Sequence, residues 1–163
     1  MLTKHKVEIL LALGASVLVA KQDSIHTSLS ALRGVCLRSN KVNLHVGPGL
    51  NYPVDWVLTL RHMPVHVVAE SGAWRRIQLI DGTRGWVHKS TLCVRKMAQL
   101  KRQVFLYASP SEQAKRMAKM GAFAVVSLVK RKGAWMKVQA TTPDGDMTVG
   151  WLQEEALWGL TEP

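Results

Sequence analysis

Apolar residues fall along this chain in short runs separated by Gly, Pro, Asp and basic residues. Val65-His66-Val67-Val68-Ala69 and Trp74-Arg75-Arg76-Ile77-Gln78-Leu79-Ile80 have the length of strands, and the second alternates over part of its course. Asp81-Gly82 separates that run from Gly85-Trp86-Val87-His88. Because Asp and Gly tolerate positive φ, the pair predicts a hairpin turn. Pro143-Asp144-Gly145-Asp146 predicts a similar turn with a longer loop. Ser90-Thr91-Leu92 and Glu154-Glu155-Ala156-Leu157 each predict a single helical turn before a last strand. Glu112 to Met120 is the main competing stretch, since its Ala, Lys and Met residues favour helix. Its alignment with Gly49-Leu50-Asn51-Tyr52-Pro53 assigns it to a loop.

The runs come in two copies. Val42-Asn43-Leu44-His45 with Pro48 returns as Val104-Phe105-Leu106-Tyr107 with Pro110. Gly72-Ala73-Trp74 returns as Gly133-Ala134-Trp135, and Gly85-Trp86-Val87 with Leu92 returns as Gly150-Trp151-Leu152 with Leu157. The offsets of 62, 61 and 65 residues differ only by small loop changes. A period this long is one small domain per copy, not one turn of a solenoid. Five or six short strands per copy predict an all-β fold of two tandem small barrels. The expected boundaries are 38–94 for the first barrel, 95–103 for a basic linker and 104–160 for the second barrel. Trp86 and Trp151 are expected to point inward, because a strand tryptophan in so small a barrel has few other places to go.

A module near 60 residues buries a modest share of its surface, so packing between copies or a disulfide would help it. Cys36 and Cys93 bracket the first copy. A bridge between them would stabilise by roughly 4 kcal/mol in the chain-entropy view. Two unpaired buried thiols are the other reading. The N-terminus starts Met-Leu-Thr-Lys-His-Lys and is then apolar from Val7 to Ala20 apart from Glu8 and Ser16. That is the layout of a secretory signal. Fourteen residues fall short of the roughly 20 that cross a bilayer as a helix, and no clean Ala-x-Ala site follows. Residues 1–20 are therefore expected to be a signal peptide or a membrane anchor, and 21–37 a flexible leader. Export to the periplasm, free or membrane-anchored, follows from that expectation.

The chain carries 22 Lys and Arg against 11 Asp and Glu, a net charge of +11. The excess gathers at Arg95, Lys96, Lys101 and Arg102 and through the second copy. A basic field implies an anionic neighbour: a lipid surface facing the basic second half, a cell-wall polymer, nucleic acid or an acidic protein. A merely soluble basic surface explains the charge as well.

Val42 to Gly49 with Tyr52-Pro53, then Gly72-Ala73-Trp74-Arg75-Arg76-Ile77, then Asp81-Gly82-Thr83-Arg84-Gly85-Trp86-Val87 resemble the bacterial SH3-type domain. The chain looks like the two-copy exported SH3-domain proteins of alphaproteobacterial type, and its Leu157-Trp158-Gly159 ending is similar to theirs. The resemblance covers roughly residues 38–160. It implies an SH3-like β-barrel in each half and a cell-envelope setting, and little about the ligand. Domains of this kind often accompany cell-wall enzymes or bind wall peptides and glycans. The family's usual basic residue after Asn-x is His45 here. In the second copy Phe105, Ser111, Ala114 and Ala118 stand where the first has Asn43, Gly49, Tyr52 and Trp56.

The candidate ligand residues are Tyr52, Trp56, Trp74, Arg75, Trp86 and Trp135. Tyr52 and Trp56 are assigned to the long loop after the first strand, where flat rings give contact area at low entropic cost. Plugging the end of the barrel is their competing role. Of Arg75 and Arg76, strand alternation turns one outward toward an anionic ligand. His62 and His66 are four apart, about 13 Å in a strand, too far to share an ion. Pro64 argues against the helix that would join them. No metal site and no cofactor are expected. No Gly-x-Ser-x-Gly, phosphate loop or His-Glu-x-x-His occurs. His88 with Cys93 has no counterpart in the second copy and makes no dyad. The expected function is a non-catalytic envelope adaptor that holds a peptide, cell-wall glycan or envelope protein. The alternative is a basic small-barrel nucleic-acid binder, against which an export signal argues.

Overall fold

The computed structural model describes residues 35–142 and 144–160. The expected signal or anchor, and the leader as far as residue 34, lie outside them. Each copy is all-β, as expected, with seven strands where the sequence predicts five or six. The first runs through β1 (Val35–Leu37), β2 (Val42–His45), β3 (Val54–Leu58), β4 (His66–Ser71), β5 (Trp74–Gln78), β6 (Arg84–His88) and β7 (Leu92–Val94). The second runs through β8 (Met97–Leu100), β9 (Val104–Tyr107), β10 (Arg116–Met120), β11 (Val125–Lys132), β12 (Trp135–Thr141), β13 (Met147–Gln153) and β14 (Leu157–Trp158). The first copy orders its main sheet β3-β2-β6-β5-β4, with β1 paired to β7 beside it. The second links everything as β10-β9-β13-β12-β11-β8-β14. The topology is the same in both, because β1 also bridges Pro64 just ahead of β4 as β8 pairs with β11. The hairpins turn where the sequence predicts, with Gly82 at φ 87° and Gly145 at φ 92°. A single 3-10 turn precedes the last strand of each copy, Lys89–Thr91 and Glu154–Ala156.

Several expectations are corrected. Val35–Leu37 falls in the stretch assigned to the leader, yet it is a buried strand registered against β7. Met97–Leu100 falls in the expected basic linker, yet it is a strand of the second sheet. Three- and four-residue strands are too short to show a period. Trp56 lies in β3, and Arg116–Met120 forms β10, where the sequence predicts loops. Both strands end the order of their sheets and are largely exposed. They therefore carry no apolar alternation to find.

The inward tryptophan is the main correction. The first core is Val35, Leu37, Val42, Leu44, Val65, Ile77, Leu79 and Val87, all aliphatic. The second is built around Leu100, Leu106, Val126, Val138 and Leu152. Gly85 and Val87 are buried, so the two-residue period of β6 turns Trp86, only half-buried, to the opposite face. Trp151 between Gly150 and Leu152 repeats the arrangement.

The glycine before each tryptophan has a packing cause. A Cβ on Gly85 would lie 2.5 Å from Leu44 Cγ, and one on Gly150 would lie 2.8 Å from Leu106 Cβ. At this crossing β2 meets β6 through the single pair His45–Trp86, and β9 meets β13 through Tyr107–Trp151. The missing side chain lets the buried leucine of one strand fill the space over the other.

The barrels are joined directly. Only Arg95 and Lys96 separate β7 from β8. His66 of the first barrel stacks on Trp158 of the second, centroids 4.4 Å apart and planes 23° from parallel. A Cβ on Gly159 would lie 2.9 Å from Pro64 Cβ.

Two outcomes are expected. Gly85→Ala and Gly150→Ala each overpack a strand crossing and lower unfolding free energy by about 1–3 kcal/mol in denaturant titrations. Burial holds His66 below the ordinary histidine value. The unfolded chain then takes up this proton at a higher pH than the fold does. The contribution is complete above about pH 6.5 and is lost as pH falls toward the lower folded value. The thermal midpoint is therefore expected to fall on acidification from neutral pH, and His66→Phe, which keeps a ring against Trp158, reduces that fall.

Candidate functional site

The outward face of β2, β5 and β6 holds two of the six candidate residues, Trp74 and Trp86. Trp74 pairs with His88 and Arg76 pairs with Trp86 across β5–β6, while His45 pairs with Trp86 across β2–β6. Direct antiparallel partners share a face. His45 meets Trp74 edge-on with centroids 5.2 Å apart, and Trp74 meets His88 edge-on at 5.7 Å. The loop between β2 and β3 completes the group. His45 Nδ1 lies 2.9 Å from the Tyr52 carbonyl oxygen. A carbonyl only accepts, so Nδ1 carries the proton. The Tyr52 ring lies against Gly47, where a Cβ would collide with it, and is 42% exposed. Leu50, Asn51, Trp74, His88 and Ser90 line an open pocket of about 760 Å³ beside this cluster. His88 Nδ1 is 2.7 Å from Ser90 Oγ, which fixes the ring at the pocket rim.

Trp74 and Trp86 thus belong to one face with His45, and Tyr52 meets it through its backbone carbonyl. Trp56 does not join the pocket. It pairs with Leu44 on the edge strand β3 and is 59% exposed. Arg75 is engaged elsewhere: its guanidinium pairs with Glu70 at 3.3 Å and donates to the Gly72 and Trp74 carbonyls. Arg76, exposed and on the Trp86 side, is the outward member of that pair. Sequence reasoning passes over His88, Leu50 and Asn51 as ligand residues. The alternation from Trp86 to His88 is a usable signal, since it puts both on one face.

The second barrel keeps the frame and changes the chemistry. Tyr107 replaces His45 and meets Trp135 edge-on at 5.7 Å. Gln153 replaces His88 and donates to Glu112 Oε1 at 2.5 Å, tying the loop to the face that stays open in the first copy. Lys89-Ser90 becomes Glu154-Glu155. Both carboxylates are paired, Glu154 with Arg131 at 2.8 Å and Glu155 with Arg102 at 2.5 Å. Trp135 therefore sits in a latched copy of the site.

Cys36 and Cys93 are direct register partners in β1–β7, and both thiols are free. Each points its sulfur at a carbonyl of the opposite strand, Cys36 to Cys93 and Cys93 to Leu37, at 3.4 Å. Burial first, then the hydrogen bond and charge of Cys93, pushes the Cys36 thiol up to about 12. The thiolate is the reactive form. Iodoacetamide at about pH 8 is therefore expected to spare Cys36 in the folded, reduced protein and to modify it in denaturant. Peptide mass mapping reads both results.

Two tandem barrels of this topology, each with an aromatic outer face, match a known domain. The chain belongs to the bacterial SH3 domain family, whose family model matches residues 38–93 and again 101–159. None of the curated proteins matches the chain. Among solved structures it is similar to NlpC2 of Trichomonas vaginalis, at 15% identity and a TM-score of 0.35, over 77% of this chain and 48% of that one. NlpC1 of the same organism is similar at 16% identity and a TM-score of 0.34, over 88% and 50%. An NlpC/P60 family protein of Bacillus cereus is similar at 15% identity and a TM-score of 0.30, over 76% and 55%. The chain spans about half the length of these proteins.

Proposed function

We propose that the protein is a non-catalytic adaptor of the cell envelope, which holds a wall-derived peptide or glycan, or an envelope protein, on the aromatic face of its first barrel. The observation that carries this reading is the contrast between copies. The Trp74 and His88 face is open in the first, and the Gln153–Glu112 bond closes its equivalent in the second. Aromatic rings with fixed hydrogen-bonding neighbours suit stacking on sugar rings or peptide planes. Membership of the bacterial SH3 family supports a binding role. Exposed Trp56 extends the apolar surface along β3.

Residues 1–20 act in this reading as a signal peptide or anchor that directs the barrels to the periplasm. There Cys36 and Cys93 close a cross-strand bridge. Direct antiparallel partners have Cα atoms roughly 4.5–5.5 Å apart, within the span of a disulfide. The two thiols lose two protons and two electrons to a disulfide-bearing oxidant, which is reduced to two thiols.

Cosedimentation with purified peptidoglycan tests the ligand. Trp74→Ala is expected to weaken retention by about tenfold or more, the range of an aromatic hot spot, while Trp135→Ala leaves it unchanged. Equal loss in both variants, or no retention of the folded protein, sinks the reading. Retention on a random oligonucleotide that fades with salt and ignores Trp74→Ala would favour a basic nucleic-acid binder instead.

A further inference from the structure

A second cleft, of about 380 Å³, opens where the barrels meet, away from the aromatic face. Its floor is the β8–β11–β12 surface. Met97 pairs with Ser127 and Ser127 with Gln139, so three neighbouring strands present these side chains on one face. Its walls come from the other barrel and the connection. Arg61 and His62 lie in the turn between β3 and β4, and Arg95 is one of the two residues linking β7 to β8.

The charge of the cleft is one-sided. Among the described residues its lining holds two arginines and a histidine and no carboxylate. Arg75, Arg102 and Arg131 each have an acidic partner. Among the described residues neither Arg61 nor Arg95 has one within 4.0 Å. Partial desolvation, then Arg95, then Arg61 hold His62 below the ordinary histidine value, so the ring feels an unneutralised positive field. His62 also takes φ 61°, a left-handed conformation that few side-chain-bearing residues adopt. Its N–H donates to the Leu37 carbonyl at 2.9 Å, which fixes the turn against β1. On the floor, the Gln139 amide has Met147 Sδ at 3.9 Å, a weak acceptor that leaves its donor capacity little used.

We propose that this inter-barrel cleft is a phosphate-binding site, with Arg61 and Arg95 as the charged ligands and Ser127 and Gln139 as donors from the floor. Guanidinium forks match the oxygens of phosphate and carboxylate alike. A dianion neutralises both arginines at once. A tetrahedral group also offers oxygens to the walls and the floor together, which a planar carboxylate does not. The site depends on the junction of the copies, so neither barrel alone contains it.

Backbone and side-chain amide NMR of the whole chain, titrated with inorganic phosphate at constant ionic strength, tests the proposal. The expected result is saturable shifts at Arg95, Ser127 and Gln139, a rise in the His62 titration midpoint, and a Kd weakened by about tenfold or more in the R61Q/R95Q double variant. The single R61Q variant, at an exposed position, provides the same comparison if the double variant does not fold. Trp74→Ala is expected to leave phosphate binding intact, which separates this site from the aromatic face. Non-saturable shifts, shifts that map elsewhere, an unchanged Kd in the arginine variants, or equal affinity for acetate would each overturn it.

Discussion

In each copy the crossing of the second strand over the sixth ties the edge hairpin to the rest of the sheet. It rests on one register pair per copy, His45 with Trp86 and Tyr107 with Trp151. So short a pairing supplies little backbone hydrogen bonding, and side-chain packing must hold the strands together. A leucine from one strand sits where the other has only a glycine hydrogen. The same small residue forces the partition of the neighbouring side chains. Val87 or Leu152 joins the aliphatic core, and the tryptophan beside it turns out. Packing at the strand crossing and exposure of the aromatic face are thus two results of one steric requirement.

The shared frame and the divergent face show how a duplication can be used. The core positions are aliphatic in both copies at the strand crossing. The face differs. A histidine pair with lysine and serine at its rim in the first barrel becomes tyrosine, glutamine and two glutamates in the second. The second copy satisfies its new polar groups internally, through Glu112, Arg131 and Arg102. Residues satisfied by one another are poorly placed to meet a ligand, since a hydrogen bond to the ligand would have to replace one already formed within the protein.

Much of this architecture is legible in the sequence, for identifiable reasons. The duplication, the Asp-Gly turn and the single helical turns are visible because glycine, proline and tryptophan mark positions with few substitutes. Trp86 misleads when its size is weighed above strand alternation. The pattern Gly85-Trp86-Val87-His88 already implies that Trp86 and Val87 face opposite ways. Strands β3 and β10 are invisible because an edge strand exposed on both sides shows no two-residue period. Arg75 cannot be assigned from sequence, because its partner Glu70 lies across a hairpin whose register no local pattern reveals. The junction cleft is equally hidden, since Arg61 and Arg95 meet Ser127 and Gln139 only through the docking of one barrel on the other.

The first strand has a mechanical consequence. β1 is three residues long, is held by three register pairs to β7, and is where residues 1–34 enter the described fold. Any pull along that N-terminal segment is borne first by Val35, Cys36 and Leu37. Peeling them away would uncover Leu37 and with it the floor of the first core. It would also release the His62 turn, whose amide bonds to the Leu37 carbonyl. A covalent link at the middle pair would stop such a peel after a single residue, and the first barrel would then bear more tension than its reduced form.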